Sequence, residues 1–188
     1  EKYLKRTNMM EVSFKPFPTI ITSRLHLRAI SENDVDAIFT LRTSPETLQY
    51  IDRKPLASKA EATIMIRKIM DDALVGDGIT WGICFKDNPA ELAGTIGLWK
   101  IIKEHYRAEI GYMLLPVHQQ KGIMKEALAA AIAYGFESMG LHSIEANINP
   151  ANTASERLLI GAGFVKEAHF KENYYFDGRF IDSIIYST

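Results

Sequence analysis

The chain has 188 residues, 47% of them hydrophobic and 24% charged, with 22 Lys+Arg against 23 Asp+Glu. That length suits one domain able to bury about 70% of the surface its unfolded form exposes, and the composition excludes a disordered or collagen-like chain. A formal net charge of −1 excludes an extended nucleic-acid-binding surface, and a single cysteine, Cys84, excludes an intrachain disulfide and a cysteine-ligated metal cluster.

Residues 1–15 are polar and charged and carry no apolar signal core. No apolar run approaches the roughly 20 residues of a membrane helix, so the expectation is a cytoplasmic chain with no membrane partner. Residues 24–30 alternate polar and apolar side chains as a half-buried strand does. Ser31-Glu32-Asn33-Asp34 then resembles a capping box, and Val35, Ile38, Phe39 and Leu41 predict a short helix stopping near Pro45. A second helix spans residues 58–75, with Ala62, Ile66, Ile69 and Ala73 on one face and Gly76-Asp77-Gly78 beyond it.

Three strands are predicted next, over residues 79–85, 92–102 and 106–115, with a turn at Asp87-Asn88-Pro89 and antiparallel neighbours. Cys84 lies inside the first, in Trp81-Gly82-Ile83-Cys84-Phe85, and reads as a packed thiol. Residues 123–138 carry Ile123, Ala127, Leu128, Ala131, Ile132 and Phe136 at helical spacing, with Gly140 just after. A strand over 143–148, a helix over 152–162 closed by Gly163, and two strands over 164–170 and 179–186 around Asp177-Gly178 complete the pattern. The prediction is an α/β (α+β) domain: a mixed, mostly antiparallel central sheet of about seven strands flanked by about four helices.

Two stretches carry chemistry. The first runs from Glu109 through Gln119-Gln120-Lys121-Gly122-Ile123-Met124-Lys125, a strand, a polar turn and a helix start. Successive N–H groups in such a turn, with a helix dipole behind them, bind anions and phosphates above all. Gly122 lets a phosphate approach, and Lys121 and Lys125 add positive charge. It is neither a Walker loop nor a dinucleotide Gly-x-Gly-x-x-Gly, and Gly161-Ala162-Gly163 falls at a helix end where capping explains it. The second is Asn147-Ile148-Asn149-Pro150-Ala151-Asn152-Thr153-Ala154-Ser155, where Asn152 is a good N-cap and Ser155 can bond within the first turn. No His-x-x-x-His pair or His/Asp cluster predicts a metal site.

Together with Ile21-Thr22-Ser23-Arg24-Leu25-His26-Leu27-Arg28, Ala108-Glu109-Ile110-Gly111-Tyr112 and Gly163-Phe164, these stretches make residues 18–186 resemble the GNAT N-acetyltransferases. The resemblance is to the ribosomal-protein N-terminal (RimJ/RimL-like) branch. It implies a single GNAT domain over 18–188 behind an N-terminal extension of residues 1–17. It implies a V-shaped opening between the strands at 106–115 and 143–148 that holds acetyl-CoA, with no metal. The signature Gln/Arg-x-x-Gly-x-Gly/Ala fits at Gln119 and Gly122, with Met124 in place of the last small residue. The coenzyme contacts implied are Met113, Leu114, Gln119, Gln120, Lys121, Gly122, Ile123, Met124, Asn147, Asn152 and Ser155. The acceptor is a primary amine, such as a ribosomal protein's N-terminus or a small amine, with no nucleic acid partner and a homodimer as a compatible assembly.

Transfer from a thioester to an amine needs a base for the ammonium, a donor for the oxyanion and a partner for the leaving thiolate. Glu109, on the strand before the cofactor turn, is the candidate base, unless it is salt-bridged to Arg107 or a solvated strand residue; His105 is less favoured. By analogy Met113 or Leu114 supplies the oxyanion N–H, and Ser155 and Tyr174 compete as the acid, with an aromatic wall as the other reading of Tyr174.

Overall fold

The computed structural model describes residues 10–188; residues 1–9 of the expected extension lie outside the described residues. Among the described residues eight strands form one sheet in the order β1-β2-β3-β4-β5-β6-β8-β7. They are β1 (Ile20–Ile21), β2 (Leu25–Ala29), β3 (Ile79–Phe85), β4 (Asn88–Ile102), β5 (Arg107–Leu114), β6 (Ser143–Ile148), β7 (Val165–Phe176) and β8 (Arg179–Ser187). Among the described residues five α-helices flank it: α1 (Val35–Leu41), α2 (Pro45–Leu48), α3 (Lys59–Val75), α4 (Ile123–Ala133) and α5 (Thr153–Gly161). All neighbours are antiparallel except β5 and β6, the one parallel pair.

Local chemistry sets the helix ends. Ser58 caps α3, accepting from the Glu61 N–H at 3.3 Å, and Gly76 ends it with φ 75°, a left-handed angle that glycine adopts without a Cβ penalty. Asn152 caps α5 in the same way, accepting from the Ser155 N–H at 3.0 Å. The helix expected to stop near Pro45 ends at Leu41, and Pro45 opens α2 at its first position, where a missing N–H costs nothing. The turn expected at Asp87-Asn88-Pro89 lies at Lys86-Asp87, and Asn88 and Pro89 belong to β4. Arg28 explains the longer strand, because its guanidinium binds the Pro89 and Ala90 carbonyls at 2.7 and 3.1 Å. Residues 171–176 also belong to a strand, β7, which kinks at Glu172 (φ 50°) where Asp182 accepts the Glu172 N–H at 2.9 Å.

Two apolar clusters hold the helices. The larger packs Leu27, Trp81, Ile96, Leu98 and Ile144 against Leu128 and Ala131 of α4 and Leu159 of α5, and Met10 and Phe14 join it. The smaller packs Ile30 and Leu92 against Ile38 and Leu41 of α1 and Ala62 and Ile66 of α3. Cys84 is fully buried, as a packed thiol should be. Asp34 is buried too, and Arg28 grips it with two donors at 2.7 and 2.9 Å, with no orphan charge left. Among the described residues no helix is long and apolar enough to cross a membrane.

Candidate active site

β5 and β6 pair over only three rows, Arg107↔Ser143, Ala108↔Ile144 and Glu109↔Glu145. Beyond Glu109 they part, while β5 stays on β4 as far as Leu114 and β6 stays on β8 as far as Ile148. The split is therefore lined by backbone on both lips. The Leu115 N–H bonds to Ala93 O at 2.9 Å, so the alternation of an antiparallel ladder turns odd-numbered β5 amides into β4. Those of Tyr112 and Leu114 consequently face the split, while Met113, paired with Thr95, offers it no N–H. On the other lip Ile144 exchanges both bonds with Thr188, so Asn147, three residues on, turns its backbone toward the split.

Side chains close the split from one face. The Tyr112 hydroxyl lies 2.6 Å from Ser155 Oγ, linking β5 to the first turn of α5. Ser155 is buried, and burial pushes the Tyr112 phenol up to about 12 despite that hydrogen bond. Tyr112 is a residue the sequence reading missed; its place two residues before Leu114 on an alternating strand was the available signal. Tyr174 does not reach this pair. Its phenol donates to the Asp52 carbonyl at 3.3 Å and ties the β7–β8 hairpin to the segment between α2 and α3.

On the opposite face Glu109 is mostly covered, and it is not bound to Arg107. Lys100 Nζ donates to one carboxylate oxygen at 2.6 Å and Trp99 Nε1 to the other at 3.2 Å, while Arg107 lies 3.6 Å from Glu145. The Trp99 ring lies against Gly111, where a Cβ would come within 2.2 Å of it. Met113 points to this side as well, its sulfur 3.4 Å from Arg42 Nη1. Arg42 has no carboxylate partner among the described residues; burial first, then the nearby Arg53, lowers its pKa. His105 stands on the exposed turn before β5, 3.7 Å from Glu104.

At the wide end of the split the chain turns from β5 into α4. Gln120 (φ 57°) and Gly122 (φ 71°) are both left-handed, and Gln119 anchors the turn by donating to Leu114 O at 3.1 Å. α4 starts at Gly122 with no side-chain cap, which leaves the N–H groups of Ile123, Met124 and Lys125 uncovered. Lys121 and Lys125 form no ion pair among the described residues. Uncapped N–H groups, a helix dipole and two unpaired lysines suit a diphosphate. The split, with backbone amides facing it from both lips, suits an extended arm with amides of its own.

Residues 24–165 match the family model described as an acetyltransferase (GNAT) domain. The chain belongs to the GNAT acetyltransferases. The GNAT co-substrate is acetyl-CoA, and the residues around the split fit it. The chain is 37% identical over 171 residues to the uncharacterised N-acetyltransferase YoaA of Bacillus subtilis, covering 91% of this GNAT chain and 96% of that one. It is 32% identical over 111 residues to the ribosomal protein uS5-alanine N-acetyltransferase of Escherichia coli, 58% of this chain and 57% of that one. Its fold superposes on spermidine N-acetyltransferase from Vibrio cholerae in complex with CoA and spermine, with a TM-score of 0.79, 26% identity, and 89% and 96% of the two chains covered.

Proposed function

We propose that this GNAT domain moves the acetyl group of acetyl-CoA to the α-amine of a protein N-terminus, such as that of a ribosomal protein, by direct attack with both substrates in the β5–β6 split. The split itself carries the reading: a parallel pair abandoned after Glu109↔Glu145, with amides on both lips and an uncapped helix at its mouth. Acetyl-CoA supplies the thioester, so the chain needs no nucleophile of its own. Glu109 has lone pairs left beside Lys100 and Trp99, and accepts the amine's proton through a water. The Leu114 N–H donates to the carbonyl oxygen as negative charge builds there. Ser155, backed by Tyr112, donates a hydrogen bond to the departing sulfur.

Residues 119–124 hold the diphosphate through backbone N–H groups, Lys121 adds charge, and Asn147 and Asn152 frame the arm. Tyr174, held to Asp52, shapes the acceptor mouth. Arg42, 3.4 Å from the Met113 sulfur and without a carboxylate partner among the described residues, puts positive charge on the acceptor side, and Arg53 is near enough to lower its pKa. That lining repels a polyamine, whose several ammonium groups need acidic partners, more than it repels a peptide with one.

Thiol release from acetyl-CoA, measured across peptides with free and blocked N-termini and across spermidine, tests the proposal. Turnover with free α-amines, blocked peptides inert, and the acetyl group located on the α-nitrogen by mass spectrometry are expected. Preference for spermidine would move the chain to small-amine acetylation, and CoA binding without thiol release for any acceptor would make it a non-catalytic module.

A further inference from the structure

The turn that opens α4 is held from outside the site by two residues distant in sequence. Glu126 Oε1 accepts from Thr22 Oγ1 at 2.6 Å, Ser23 Oγ at 2.8 Å and the Arg24 N–H at 2.8 Å. Its Oε2 accepts from Arg24 Nε at 2.6 Å. The remaining arms of the same guanidinium donate to Lys121 O at 3.0 Å and Gly122 O at 3.2 Å. A trans peptide points its C=O and N–H in opposite directions. Two carbonyls fixed on Arg24 therefore send the Gly122 and Ile123 N–H groups away from Arg24.

We infer that Arg24 and Glu126 form a clamp that sets the peptide planes of the Lys121-Gly122-Ile123 turn, so that its N–H groups face the diphosphate of acetyl-CoA. The inference rests on the reading of that turn as the diphosphate site. Arg24 and Glu126 are positioning residues: neither touches the ligand, and their work is done through backbone. Lysine cannot replace Arg24, because one ammonium lacks the planar fork that spans Glu126 and two carbonyls at once. The pair also solves an electrostatic problem. A carboxylate in the first turn of α4 suits the helix dipole but would repel a phosphate, and Arg24 cancels it in place.

Glutamine at position 126 keeps one acceptor oxygen and loses the one that holds Arg24 Nε. It also removes a negative charge near the anion. Charge alone therefore predicts tighter CoA binding by Glu126→Gln, and the clamp predicts weaker binding. Calorimetry with CoA is run on wild type, Arg24→Ala, Arg24→Lys and Glu126→Gln, with pantetheine, which has no diphosphate, followed by ligand-observed NMR at millimolar concentration. The expected result is a rise in CoA Kd of about tenfold in each variant, with pantetheine affinity unchanged. Wild-type CoA affinity in Arg24→Lys, or tighter binding in Glu126→Gln, overturns the clamp. So does equal weakening toward CoA and pantetheine, which would mean general loosening of the fold. Failure of the wild type itself to bind CoA would instead bring down the reading of the turn, and the clamp with it.

Discussion

The hydroxyl pair Tyr112–Ser155 sets what kind of help the leaving sulfur can receive. A phenol at about 12 gives up its proton to a thiolate, whose thiol has a pKa of roughly 8.5, only at a cost of about 4–5 kcal/mol. Full proton transfer from Tyr112 is thereby disfavoured, and a strong hydrogen bond relayed through Ser155 is what the pair can offer. Ser155→Ala should lower kcat about tenfold with a smaller change in KM for acetyl-CoA, and Tyr112→Phe should cost less. The double variant should fall little further than Ser155→Ala, since the residues act as a unit; additive losses in steady-state kinetics would separate them. Glu109→Gln keeps the Trp99 contact and removes the base. Turnover should drop about a hundredfold and the acidic limb of the pH–rate profile should vanish; an unchanged profile would remove Glu109 from the role.

At the scale of elements, β5 works because it carries no side chain at Gly111. The Trp99 indole fills that space and steers Glu109 through Nε1. A methyl group there forces the ring to move, and an indole has no flexible end to yield. Gly111→Ala should cost about 1–3 kcal/mol in urea unfolding and should lower kcat as Glu109 loses a donor. Elements with local chemistry were legible in the sequence: Ser58 and Gly76 bracket α3, and the strand predicted over residues 79–85 matches β3 residue for residue. Where a distant partner decides, the sequence reads wrongly. Pro89 looks like a turn until Arg28 is seen holding its carbonyl, and the strand predicted over residues 164–170 runs on to Phe176, with Asp182 pinning Glu172. The candidate site divides the same way. The turn at Gln119 and the cap at Asn152 announce themselves locally, whereas Trp99 on Glu109 and Arg24 on Glu126 are contacts of packing that no spacing records.

For the whole molecule, acid is the natural probe. Burial opposes ionisation of Asp34, but Arg28 and the Ser31 N–H hold its pKa below the ordinary value of 3.8. Burial likewise opposes ionisation of Glu126, and Thr22, the Arg24 amide, the Arg24 guanidinium and Ser23 hold it at about 2 against an ordinary 4.5. Both pKa values are lower in the folded state, so both groups stabilise it above their unfolded pKa and lose that contribution as pH falls through the folded one. Urea midpoints should hold near neutrality, fall from about pH 4.5 downward, and fall less steeply for Glu126→Gln. Asp34→Ala strands the Arg28 charge and should cost about 3–5 kcal/mol at neutral pH, read from the same unfolding curves.

Among the described residues, β5 and β6 pair over three rows where the β1–β5 half of the sheet meets the β6–β8–β7 half. A coenzyme seated between them would act as mortar, adding contacts to both halves at once and none to the unfolded chain. At a hundredfold excess over its Kd such a ligand adds about 2.7 kcal/mol. Empty molecules should therefore melt earlier, and amides along the two lips should exchange with solvent sooner than those elsewhere in the sheet. The melting curve of a preparation becomes a record of how much coenzyme it carries.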